Sequence, residues 1–176
     1  MSSAWLENDR LVLRAPETED LELMYRMEND SKLWSVGDTL LPYSRYTLRA
    51  YLEQSRQDLF TERQARFVIM LRSGEAVGMI DIANYDPVNS RAEICIGLLG
   101  EYRGLGIASE ALQLLCDYSF RRLHIHQLYA YIGVENLESR KLFSKKGFVE
   151  ASILKDWLRG ETGYSDVIMV QKLACL

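Results

Sequence analysis

The stretch Leu98-Leu-Gly-Glu-Tyr-Arg-Gly-Leu-Gly-Ile-Ala-Ser109 decides how the rest of the chain is read. An apolar run ends at Leu99 and a short glycine-bearing turn follows. From Ile107, Ala108, Ala111, Leu112, Leu115 and Ser119 then recur on one face at helical spacing. A strand, a tight turn and a helix in that order leave the first amides of the helix without partners and pointing outward. Gly104 and Gly106 let the backbone approach a ligand closely. The helix dipole adds positive potential and Arg103 a full charge, which together make an anion cradle suited to a pyrophosphate. The same glycines fit a plain tight turn, so the cradle needs support from elsewhere. It is not a P-loop, which would end in GK[ST], and it lacks the GxGxxG spacing of a dinucleotide fold.

Upstream, Arg10 to Ala15 alternates as a strand. A helix is expected from Thr18, as its cap, to about Glu28. A loop through Trp34, Gly37 and Pro42 follows, and Ser44 caps a second helix reaching about Phe60. Arg66 to Arg72 and Ala76 to Asn84 flank Ser73-Gly74 as a hairpin, and Arg91 to Leu99 is the next strand. Downstream of the Ile107–Arg122 helix come a strand at Gln127 to Gly133 and a short helix from Asn136 that stops at Gly147. Strands at Phe148 to Lys155 and Tyr164 to Leu173 close the chain. This order predicts an α+β domain, with a mixed, mostly antiparallel twisted sheet of about seven strands and about four helices.

The 176 residues read as a single domain, 1–176, with 48% hydrophobic and 26% charged residues. No run approaches the roughly 20 apolar residues that span a bilayer. The first residues lack a secretory pattern, so the expectation is a cytoplasmic protein with no membrane partner. Cys95, Cys116 and Cys175 are odd in number and lack CxxC spacing, which suggests buried free thiols. His124 and His126 are the only histidines, with no ligand spacing around them, so no metal is expected. The net charge is −4 and uneven. Residues 1–62 carry seven Lys and Arg against twelve Asp and Glu. Nucleic acid is a poor partner for such a chain, whereas a cationic molecule would be drawn to its N-terminal part.

Arg103-Gly-Leu-Gly106-Ile-Ala108 resembles the R/Q-x-x-G-x-G/A signature of the Gcn5-related N-acetyltransferase (GNAT) family. Asn136-Leu-Glu-Ser139-Arg-Lys-Leu142-Phe143-Ser-Lys-Lys-Gly147-Phe148 resembles that family's second motif, N-x-x-A/S-x-x-L-Y-x-x-x-G-F. The two stand in the family's order, with a strand between them, and the element order fits over nearly the whole chain. Arg91-Ala-Glu93, Glu101-Tyr102 and Tyr164-x-Asp166-x-x-Met169 point to the branch of spermidine and ribosomal-protein N-terminal acetyltransferases.

The resemblance implies an acetyl-CoA-dependent N-acetyltransferase of GNAT-like fold. Its cosubstrate is acetyl-CoA, and its acceptor is a small-molecule amine, a polyamine first, or a peptide N-terminus. It also implies a homodimer or higher homo-oligomer. Residues Arg103, Gly104, Leu105, Gly106, Ala108 and Ser109 would hold the pyrophosphate. The backbone of Leu98 and Leu99 would pair with the pantetheine arm in a slot left by the diverging strand 128–131. Asn136, Ser139 and Phe143 would lie near the sulfur. Apart from the resemblance, the loop Asp30 to Tyr46, with Trp34, Pro42 and Tyr43, would either wall the acceptor site or cover the core.

An alkyl ammonium titrates near 10.4, so a base must take its proton. Asp81 and Glu93, on neighbouring strands, are the candidates for this and for holding a cationic acceptor. Either one equally fits a strand-end salt bridge. Phe143 departs from the motif's Tyr, which would protonate the leaving thiolate. Ser139, Tyr129, Tyr131 or a water are the candidate replacements. That departure keeps open a second reading, a module that binds acyl-CoA without turnover.

Overall fold

The computed structural model describes residues 5–31, 41–56, 58–160 and 162–175. Seven strands form one sheet: β1 (Leu11–Arg14), β2 (Ala65–Leu71), β3 (Ala76–Asp86), β4 (Arg91–Leu98), β5 (Gln127–Gly133), β6 (Val149–Arg159) and β7 (Tyr164–Leu173), in the order β1-β2-β3-β4-β5-β7-β6. Every pairing is antiparallel except β4 with β5. Five α-helices lie among the described residues: α1 (Leu21–Glu28), α2 (Arg45–Gln54), α3 (Leu59–Glu62), α4 (Ile107–Arg121) and α5 (Leu137–Lys145).

The two faces of the sheet bury different helices. Val68 and Met79 pack with Leu21, Met24, Met27 and Leu48 on the α1/α2 side. Their strand neighbours Ile69 and Ile80 pack with Ala111, Leu112, Leu115 and Phe143 on the α4/α5 side. Period-two alternation in β2 and β3 therefore feeds two cores, which is why these strands read as nearly continuous apolar runs.

Two expectations about helices change. Thr18 is not a cap. A single 3₁₀ turn, Thr18–Asp20, precedes α1, and the Asp20 carboxylate accepts from the Glu17 amide at 2.8 Å and from Arg14 at 2.7 and 2.8 Å. The helix expected from Ser44 to Phe60 is two helices. Ser44 does cap α2, accepting from the Thr47 amide at 3.1 Å. The backbone turns extended at Ser55, however, and Asp58 caps α3 by accepting from the amides of Phe60 and Thr61. An Asp side chain offers the backbone this local alternative to continuing a helix.

Of the cysteines only Cys116 is buried. Cys95 and Cys175 are exposed, and all three are free. No group of three or more potential metal ligands occurs among the described residues, and none of their helices is long and apolar enough to cross a membrane.

Candidate active site

β4 and β5 pair only at Arg91↔Gln127, Ala92↔Leu128 and Glu93↔Tyr129 and then diverge. β4 stays paired with β3 from Glu93 to Leu98. The Leu99 amide donates to the Val77 carbonyl at 3.0 Å, so alternation turns the polar groups of Cys95, Gly97 and Leu99 toward β3. Those of Ile94, Ile96 and Leu98 face the opening instead. Leu99 is thus corrected: its amide is used and its side chain is buried under α1. Ile96 was missed, although period two counted back from Leu98 would have found it. The Leu98 carbonyl also accepts from Arg103 Nε at 3.2 Å.

At the end of the opening the chain turns into α4. Gly104 and Gly106 have φ of 74° and 81°, the left-handed region that glycine reaches without cost. Gly106 is the N-cap and has no side chain to satisfy the first amides of α4. Arg103, Gly104, Gly106, Ala108 and Ser109 line the cleft. The Leu105 side chain does not; it is 54% exposed and lines a smaller hollow behind the turn with Arg10 and Tyr102. Across the opening, Asn136 caps α5 by accepting from the Ser139 amide at 3.1 Å. Ser139, Phe143 and Tyr131 also line the cleft. The Tyr131 ring sits edge-on to Tyr129 and stacks on Trp157.

The cleft, about 880 Å³, continues past β4 to Met27, Glu28, Arg66, Met79, Asp81, Glu93 and Cys95. Asp81 is bridged by its cross-strand neighbour Arg66, with Nε at 3.0 Å and Nη2 at 2.8 Å. Arg66 also reaches Glu28 Oε1 at 2.6 Å. Burial pushes the Asp81 carboxyl up from its usual range, Arg66 works against that shift, and Glu28 adds to it. Asp81 is therefore one arm of an ion-paired triad. Its partner is Arg66 rather than Arg91, which bonds Asp86 at 3.2 Å. The register shift between Ile69 and Met70 sets Arg66 opposite Asp81, a pairing that the turn alone does not fix. Glu93 sits closer to the fork of β4 and β5 and accepts from Asn84 Nδ2 at 2.7 Å. Although Cys95 is exposed by surface area, the packing around its sulfur, followed by Glu93 and Asp81, pushes the thiol well above its usual range, so it stays protonated. Burial, followed by Glu93, pushes the Tyr129 hydroxyl up to about 12.

Tyr43 does not line the cleft; its backbone is tied to Asn29 at 2.8 and 3.0 Å. Trp34 lies outside the described residues.

Residues 10–149 match the family model described as "Acetyltransferase (GNAT) domain". The chain is 31% identical over 170 residues to an uncharacterized N-acetyltransferase, p20, of Bacillus licheniformis, covering 96% of this chain and 95% of that protein. It is 26% identical over 169 residues to the ribosomal-protein-serine acetyltransferase of Escherichia coli (strain K12), covering 94% of each. Among solved structures, a spermidine N-acetyltransferase from Vibrio cholerae in complex with CoA and spermine superposes with a TM-score of 0.84. That match has 27% identity and covers 95% of this chain and 97% of that one.

Proposed function

The chain belongs to the acetyltransferase (GNAT) family, and from that premise we propose that it moves the acetyl group of acetyl-CoA onto a small, cationic amine such as a polyamine. One observation carries the reading: a single continuous cleft joins an anion cradle, an unpaired strand edge and an acidic end. The amides that open α4, with Arg103, take the diphosphate. Ile96 and Leu98 add the pantetheine arm as a further strand. This brings the thioester to the fork beside Glu93 and Tyr131. The Glu28–Arg66–Asp81 triad carries a net single negative charge when ionised and Glu93 adds another, which suits an acceptor with more than one ammonium.

The amine nitrogen attacks the thioester carbonyl carbon while a free β4 amide steadies the developing oxyanion. The C–S bond breaks and the thiolate of CoA leaves. Glu93, directly or through a water, takes one proton from the ammonium before the attack, and the second N–H proton leaves as the tetrahedral intermediate collapses and passes through solvent to the departing sulfur. Glu93, at the fork of β4 and β5, suits the role of base better than Asp81, whose charge is paired with Arg66. We further propose that the enzyme assembles with copies of itself, as a spermidine N-acetyltransferase from Vibrio cholerae does in a dodecameric structure, through the edge formed by β6.

Thiol release from acetyl-CoA with a panel of amines tests the reading. Spermidine, spermine or putrescine should turn over faster than peptide N-termini or amino sugars. Silence on the polyamines with turnover of a ribosomal-protein N-terminal peptide would replace the acceptor. Tight CoA binding with no acceptor at all would make the protein a binding module.

A further inference from the structure

Arg10 lies outside both family motifs, yet it reaches 95 residues along the chain to the cradle. Its Nη2 donates to the Leu105 carbonyl at 2.8 Å, within the turn between Gly104 and Gly106. Its Nη1 donates to Glu110 Oε1 at 2.8 Å. The second oxygen of that carboxylate accepts from Asn8 Nδ2 at 3.1 Å. Asn8 Oδ1 in turn accepts from the amides of Arg10 and Leu11 at 2.8 and 2.7 Å, which fixes the segment leading into β1. A Cβ on Gly106 would lie 3.7 Å from Arg10 Nη1, so the guanidinium packs directly behind the N-cap of α4.

The electrostatics give this arrangement a purpose. Glu110 stands in the first turn of α4, where a carboxylate is drawn to the helix N-terminus and its free amides. There it would compete with any bound anion. Arg10 and Asn8 hold both of its oxygens on the outer side and neutralise its charge. The bond to the Leu105 carbonyl meanwhile fixes the turn whose amides make the cradle. Resting on the acetyltransferase reading above, we infer that Arg10 is a positioning residue for the CoA diphosphate: it braces the glycine turn from β1 and keeps Glu110 off the anion site.

The test reads CoA affinity by calorimetry, which needs no acceptor, beside thermal melting of each variant. Arg10→Gln should weaken CoA binding about tenfold, the scale of a charge misplaced at a helix start. Adding Glu110→Gln to Arg10→Gln should bring the affinity back to within about threefold of wild type, because the competing charge is then gone. Arg10→Lys keeps the charge but cannot reach both acceptors, so it should fall between the two. It carries the same rescue test should Arg10→Gln fold poorly. Affinity of Arg10→Gln within about twofold of wild type would overturn the inference, as would a double variant no better than the single one. A wild-type protein that binds CoA but acetylates nothing sinks the proposed reaction alone. One that does not bind CoA sinks both.

Discussion

At position 143 a phenyl ring occupies the place where the family motif carries a phenol. Phe143 is 3% exposed and lies edge-on to Phe148 at 4.9 Å between ring centres, so it closes the core under α5 while forming part of the cleft wall. It has no proton for the departing sulfur. A thiol titrates near 8.5, which makes the thiolate a tolerable leaving group without help. Tyr129 is a poor substitute donor, because burial and Glu93 raise its hydroxyl. Tyr131 and Ser139 line the cleft and remain available. Phe143→Tyr should therefore leave kcat unchanged or raise it by up to about tenfold, since one general acid is commonly worth at least that much. Steady-state thiol release checks it. A large loss of rate with an unchanged melt would mean that the apolar ring itself is required.

At the scale of elements, the site depends on how β4 is gripped by β3 and abandoned by β5. Gly78, opposite Leu98 in the β3–β4 register, sits where the two strands leave no room for a side chain. A Cβ there would overlap the Gly97 carbonyl oxygen and come within 2.6 Å of Leu98 Cδ2. Gly78→Ala must push β4 outward at the residue that presents its polar groups to the opening. It should cost about 2 kcal/mol of stability or more, as overpacking does, and weaken CoA binding as well. Denaturant unfolding and calorimetry measure the two effects. An alanine tolerated without change would show that β4 yields freely.

Much of this geometry was legible because it is local. The helix start at Ile107, the left-handed glycines and the Asn136 cap are consequences of neighbours along the chain. The errors lie where register or distant contact decides. Leu99 is grouped with Leu98 in the sequence because strand membership says nothing of which edge a residue faces until a partner fixes it. Asp81 read as a possible free base because its partner Arg66 is set by the hairpin register. Arg10 was invisible because its two acceptors lie 95 and 100 residues away. The break at Ser55 was hidden by a pattern that suits a helix on either side of it.

Across the whole molecule, the sheet has two edges, β1 and β6, and they are not alike. β1 is four residues long, with Leu11 and Leu13 buried. β6 has eleven residues, and Val149, Ile153 and Trp157 on it are 66%, 55% and 55% exposed. An eleven-residue edge with three exposed apolar side chains and unpaired backbone groups is a template for another chain, although Glu150, Lys155, Asp156 and Arg159 and two register shifts interrupt it. Trp157 also stacks on Tyr131, which lines the cleft, so a copy docked on β6 would press against one wall of the site. Ile153→Lys places a charge in the middle of that edge, where burial against a partner would leave it unpaired. Light scattering should show a smaller assembly than wild type, with the dissociation constant raised about tenfold or more, as for the loss of a central apolar contact. The melt of the isolated fold should move little, because the Ile153 side chain is already more than half exposed. Turnover should fall in step with dissociation if the docked copy steadies Tyr131 through Trp157. An assembly of unchanged size would move the contact to another face.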